Sequence, residues 1–178
     1  MANTSLQPIF PVEGALGGMS GPTLTGLEAA TQTFKRGAPV VNSAGFLAEA
    51  AANPAAIIGI ARSDGHNLTV AGVANAASTG IIDPTSPNQE FTPIQPSMIF
   101  EISVDKASAQ GGALAVLAQS DMWGDFGITK DSLGFWYLDV DKAAANQVVV
   151  VVAFKDPAGT VNGRVLVTFK QTVNALSI

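Results

Sequence analysis

The residues with the most chemical potential are five aspartates. Asp121, Asp125 and Asp131 surround the aromatics Trp123 and Phe126, and Asp139 with Asp141 makes an Asp-x-Asp pair. Closely spaced carboxylates can ligate calcium, which takes many oxygens, or act as the acid and base of a glycosidase. Neither group has the ligand spacing and central glycine of an EF-hand loop, so they read as solvated loop charge. The single histidine, His66, sits in an Asp-Gly-His-Asn turn. One histidine excludes a triad or a multi-histidine metal site within one chain, and without an evident partner it reads as a surface turn residue. Asp125-Phe126-Gly127 spells a kinase tripeptide without the glycine-rich loop or catalytic loop that would give it meaning. The glycines at 14, 17 and 18 form no phosphate cradle. Asn67-Leu-Thr69 matches a glycosylation sequon, which needs export to matter. The cluster Trp123, Phe126, Phe135, Trp136 and Tyr137 fits either a β-core or subunit interface or a sugar-stacking platform. No catalytic, metal-binding or cofactor-binding residue emerges, and the chain reads as a non-enzyme.

Composition points the same way. The chain of 178 residues has no cysteine, which removes disulfides, thiolate zinc sites and cysteine nucleophiles. Nine Lys and Arg against fourteen Asp and Glu give a net charge of −5, without the basic footprint of a nucleic-acid binder. No apolar run approaches the roughly 18 residues of a membrane span, and the start Met-Ala-Asn-Thr-Ser lacks signal-peptide order. A soluble protein without membrane partner is expected. Charged residues make up only 13% of a chain that is 47% hydrophobic, so part of the apolar content is expected at a surface that meets another protein.

The elements follow from stiffness and alternation. Val148 to Phe154 contains five consecutive valines, which crowd at χ1 in a helix and fit a pleated sheet, here expected as a central strand covered on both faces. Arg164 to Lys170 alternates, with Val165, Val167 and Phe169 on one face. The turn-rich segment 155–163 between them predicts a long antiparallel hairpin. Strands are also predicted at 39–41, 57–61, 68–73, 99–105 and 135–140, with Phe100, Ile102 and Val104 inward and Glu101, Ser103 and Asp105 outward. The segment 46–52 is expected as a strand, and 113–118 as a short apolar run. The total is seven or eight strands with no long helix, and thus an all-β domain of mostly antiparallel strands, a small β-barrel or β-sandwich. Residues 1–33 predict an extended arm with a short helical turn near Leu27 to Thr31, residues 34–178 the β-domain, and residues 75–98 one long proline-rich loop.

With these features in view, the sequence resembles the capsid decoration (cement, head-stabilising) proteins of tailed bacteriophages. The likeness is carried by Phe34-Lys-Arg-Gly-Ala-Pro-Val-Val41, by the tract Gly45 to Ala61 ending Ile58-Gly-Ile-Ala61, and by the finish Val148 to Phe169 with its Asp156-Pro-Ala-Gly-Thr160 turn. The resemblance implies a barrel-like homotrimer on the outer surface of the virion that bridges neighbouring major capsid protein subunits without catalysis or cofactor. Partner contacts are expected from Ile9, Phe10, Val12 and Leu16 of the arm and from Ile81, Ile82 and Phe91 of the long loop, with the β-domain folding without the arm. Alternatives are a phage head fibre or tail accessory protein, or a carbohydrate-binding β-module.

Overall fold

β-Branched and aromatic runs punctuated by Gly, Pro, Asn and Asp fold into eleven strands among the described residues, which in the computed structural model are 6–12, 22–74, 86–95, 98–109, 115–141 and 147–175. In chain order these are β1 (Phe10–Pro11), β2 (Leu24–Leu27), β3 (Pro39–Ser43), β4 (Phe46–Glu49), β5 (Gly59–Ala61), β6 (Asn88–Pro93), β7 (Phe100–Asp105), β8 (Asp125–Lys130), β9 (Trp136–Asp139), β10 (Val149–Phe154) and β11 (Arg164–Phe169). The helices among the described residues are single 3-10 turns, and none is long and apolar enough to cross a membrane.

Five strands close a barrel in the order β7, β11, β10, β8, β9, and a parallel pairing of β9 with β7 joins the ends. The remaining contacts around the ring are antiparallel. The valine run and its alternating partner form the expected hairpin. A bulge between Val151 and Ala153 leaves Val152 out of register and bends β10 around the ring. Val149 and Val151 are buried and Val150 and Val152 half-buried, so β10 has one enclosed face rather than two. The loop 155–163 is fixed by a forked pair in which the Arg164 Nε and Nη2 donate to the two Asp156 oxygens at 2.9 Å each. Arg164 holds the Asp156 carboxyl below its ordinary range through this hydrogen bonding.

All six residues of β7 are buried, so Glu101, Ser103 and Asp105 do not face outward as their alternation predicts. One edge of β7 pairs with β11; the other is divided between β9, beside Val104 and Asp105, and β1, beside Phe100 and Glu101. The start of the chain thus fills the part of the edge that β9 does not reach. Ser103 Oγ accepts the Gln7 amide at 3.1 Å, and Glu101 is reached by Lys155 Nζ and, at 3.4 Å, by Arg164 Nη1.

The second sheet runs β2, β6, β5, β3, β4 and is antiparallel throughout. It curls until its two edge strands meet at a single bridge, Glu28 with Leu47. Glycine is required at two close approaches. A Cβ on Gly59 would lie 2.3 Å from the Phe91 ring, and one on Gly37, at φ 86°, would lie 2.5 Å from the Ile9 nitrogen. One hydrophobic cluster runs through both sheets, from Ile9, Ile60 and Phe91 to Phe100, Val151 and Phe169. Glu49 bolts them together: it accepts the Trp136 Nε1 proton at 2.9 Å and pairs with Lys130 at 2.6 Å.

Several expectations are corrected here. The predicted loop 75–98 contains β6; its only large apolar residue, Phe91, is surrounded by polar residues and prolines that hid the strand. Residues 68–73 are a turn with a lone Val70–Val73 bridge, because Gly72 takes φ 66°. No helical turn forms near Leu27, where β2 ends and Thr31 turns at φ 59°. The described part of the arm is built into the sheets, as β1 and β2. Ile9, only 2% exposed, is part of the core, so the described part of the arm is a structural component of the fold. Ile9→Ala is therefore expected to cost roughly 2–4 kcal/mol. Urea unfolding of the full chain checks this, and a loss under about 0.5 kcal/mol would return the arm to its appended role.

Candidate functional site

The sheets bring one acid and the histidine together. Glu28 lies just past β2, and His66 lies on the turn that runs antiparallel to residues 28–34. That turn is held by hydrogen bonds from Gly65 to the Phe34 carbonyl, from Asn67 to Gln32 and from Thr31 to Leu68. Glu28 Oε1 accepts the His66 amide at 2.8 Å, and Oε2 lies 2.8 Å from His66 Nδ1. Both side chains are buried, which corrects the expectation of a surface histidine. Burial pushes the Glu28 carboxyl above its ordinary 4.5, against the opposing pull of the His66 hydrogen bonds. Alongside, Gln89 donates Nε2 to the Ser63 hydroxyl at 2.9 Å. This acid–histidine pair secures the 63–67 turn to the sheet.

The aspartates do similar work. Asp131 Oδ1 accepts the amides of Leu133 and Phe135 at 2.9 Å each, Asp139 Oδ1 those of Ala107 and Asp141, and Asp121 Oδ2 that of Ala118. Asp141 accepts the Ser108 amide and pairs with Lys106 at 3.2 Å. Asp125 pairs with Lys170 at 2.6 Å. Asp121 and Asp131 brace their own turns while Asp125, Asp139 and Asp141 tie theirs to distant segments, and no group of three or more His, Asp or Glu converges among the described residues. Of the aromatic cluster, Phe126, Trp136 and Tyr137 are buried. Trp123 stands out from the turn before β8, 69% exposed and at φ 65°, with its amide bonded to the Val151 carbonyl at 2.8 Å.

The residues expected to meet partners separate. Ile9 and Phe91 are enclosed in the core and have no surface to offer, a correction that follows from the pairing of β1 with β7 and of β6 with β5. Phe10 and Val12 are half-buried and line a cleft beside Ile9. Leu16, Ile81 and Ile82 lie outside the described residues.

A surface that the sequence reading missed lies where β2 approaches β4. Leu24, Leu27, Val70 and Val73 are 44%, 43%, 56% and 53% exposed. A Cβ on Gly72 would touch both the Phe46 ring and Leu27, so the Val70–Val73 turn, Leu27 and half-buried Phe46 adjoin. Phe46 also lines a shallow hollow of about 320 Å³ that includes Thr25, Asn42 and Phe91 and no charged residue. The signal was faint because each apolar residue sits alone among small and polar neighbours.

The Glu28 chemistry gives a pH dependence. The unfolded carboxyl titrates near 4.5 and the folded one above it, so the stability of protonated Glu28 is fully present below 4.5 and is lost as pH rises through the folded value. Between about pH 4 and pH 8 the native chain is expected to lose stability relative to Glu28→Gln. Urea titrations of both proteins across that range measure it, and a difference that does not vary with pH would contradict the assignment. No family model and no curated protein matches this chain.

Proposed function

We propose that this protein is a structural virion protein that decorates the outer surface of a phage capsid and stabilises it by bridging neighbouring major capsid protein subunits as a homotrimer, without catalysis. The observation that carries the reading is the adjoining apolar group of Leu27, Phe46, Val70 and Val73, each exposed or half-buried. Adjoining exposed apolar residues suit the centre of a permanent contact between copies, which is depleted in charge. The resemblance of the 34–61 and 148–169 tracts to decoration proteins supplies the setting. Three copies joined through that face would present three modest capsid contacts as one attachment, since the second and third are effectively intramolecular.

A carbohydrate-binding module is the second reading, favoured by the exposure of Trp123 on a barrel turn. A glycan stacked on that indole would shift its fluorescence, and Trp123→Ala would abolish the shift; an unchanged spectrum across a glycan panel removes this reading.

Light scattering of the purified protein tests the primary proposal first. A trimer is expected, and Leu27→Asp or Val70→Asp should reduce it to a monomer with an unchanged far-UV spectrum, because a charge buried in such a contact has no partner. The native trimer should sediment with expanded capsids, and the monomeric variants should bind at least 100-fold more weakly through lost avidity. A monomeric native protein that stays in the supernatant would overturn the proposal.

A further inference from the structure

A cleft of about 370 Å³ opens where the arm segment 9–12 meets the ends of β5 and β6. In a chain that is acidic overall and sparing with cations, Arg36, Arg62 and Lys155 all line it. It adjoins a second hollow of about 300 Å³ that shares Lys155 and adds Arg164. The internal carboxylates are already matched, Glu101 by Lys155 and Arg164, and Asp156 by the Arg164 fork. Asp64, next to the cleft, takes the Lys35 ammonium and the Arg36 backbone amide. The guanidinium groups of Arg36 and Arg62 are left with no partner among the described residues.

A second observation is independent of charge. Thr92 lines the same cleft, is 1% exposed, and its hydroxyl has no hydrogen-bond partner. A buried hydroxyl in that state costs free energy until an acceptor or donor arrives. Two free guanidinium forks and an unused hydroxyl around one hollow define an acceptor-rich anionic ligand, and the fork geometry matches a carboxylate bidentately. Phe10, Pro11 and Ile60 add an apolar wall to the same cleft.

We propose that this cleft binds an acidic peptide segment of a partner protein, with a Glu or Asp carboxylate seated between Arg36 and Arg62 within reach of the Thr92 hydroxyl, and its apolar neighbours against the arm. A free inorganic anion shares the carboxylate's charge but leaves the apolar wall unused, which favours the peptide. The proposal rests on the cleft residues alone and stands or falls separately from the capsid reading.

The test uses the full chain and three probes: a fluorescein-labelled peptide alternating Glu and Val, its Gln-for-Glu counterpart, and inorganic phosphate. Fluorescence anisotropy should show the Glu peptide binding at least tenfold more tightly than the Gln peptide, with affinity falling as salt rises. Arg36→Ala combined with Arg62→Ala should weaken binding tenfold or more, and Thr92→Val several-fold. Lys106→Ala, which removes a cation that does not line the cleft, should change nothing. Both arginines are exposed, so their loss leaves the fold intact even if the Thr92 variant does not fold. Equal binding of the two peptides, or an unaffected double arginine variant, would overturn the proposal. Phosphate binding without peptide binding would overturn the peptide assignment.

Discussion

Glu101 is the second residue of a strand whose six residues are all buried, 2% exposed itself, and the fold depends on how that charge is answered. A carboxylate removed from water without a partner would cost several kcal/mol. Lys155 and Arg164 answer it from the two ends of the 155–163 loop, so β10 and β11 must be in register for the charge to be matched. The Asp156 fork on Arg164 sets the angle of that guanidinium, and the arm covers the same strand by pairing Phe10 with Glu101. Burial of β7 on both faces, closure of the barrel and docking of the chain's start are therefore one constraint met from three directions.

Much of the strand content was legible where side-chain stereochemistry speaks locally. The valine run, the alternation of 164–170 and parts of the 135–140 and 46–52 segments all appear as strands, though the valine run is enclosed on one face and not on two. The elements that went unread lack that local signal. Strands β2, with Leu-Thr-Gly-Leu, and β6, with Asn-Gln-Glu-Phe-Thr-Pro, hold their places by pairing with each other and with β5. The same holds for polarity: alternation assigned Glu101 and Ser103 to solvent because their partners, Lys155 and Gln7, come from distant segments.

The candidate site was less legible still, for the same reason. The acid in the turn of His66, Asp64, goes to Lys35 and the Arg36 amide, and the acid that pairs with the histidine is Glu28, 38 residues earlier in the chain. Arg36 and Arg62 are separated in sequence, and the pairing of β3 with β5 and the hydrogen bonds beside it bring the segments carrying them together. The arm residues were singled out correctly as apolar, but their apolarity is divided. Ile9 is used inside the chain, while Phe10 and Val12 line a cleft shared with cationic residues.

The divided edge of β7 also has a bearing on how the chain reaches its folded state. The β10–β11 hairpin closes a short loop and can form early, whereas β1 pairs with a strand far along the sequence and carries only two paired residues. Until those residues dock, the first half of β7 presents unpaired amides and carbonyls beside a large apolar core. During that interval the barrel is a template open to any extended segment, from the same molecule or another, and it is the arm's arrival that ends its stickiness.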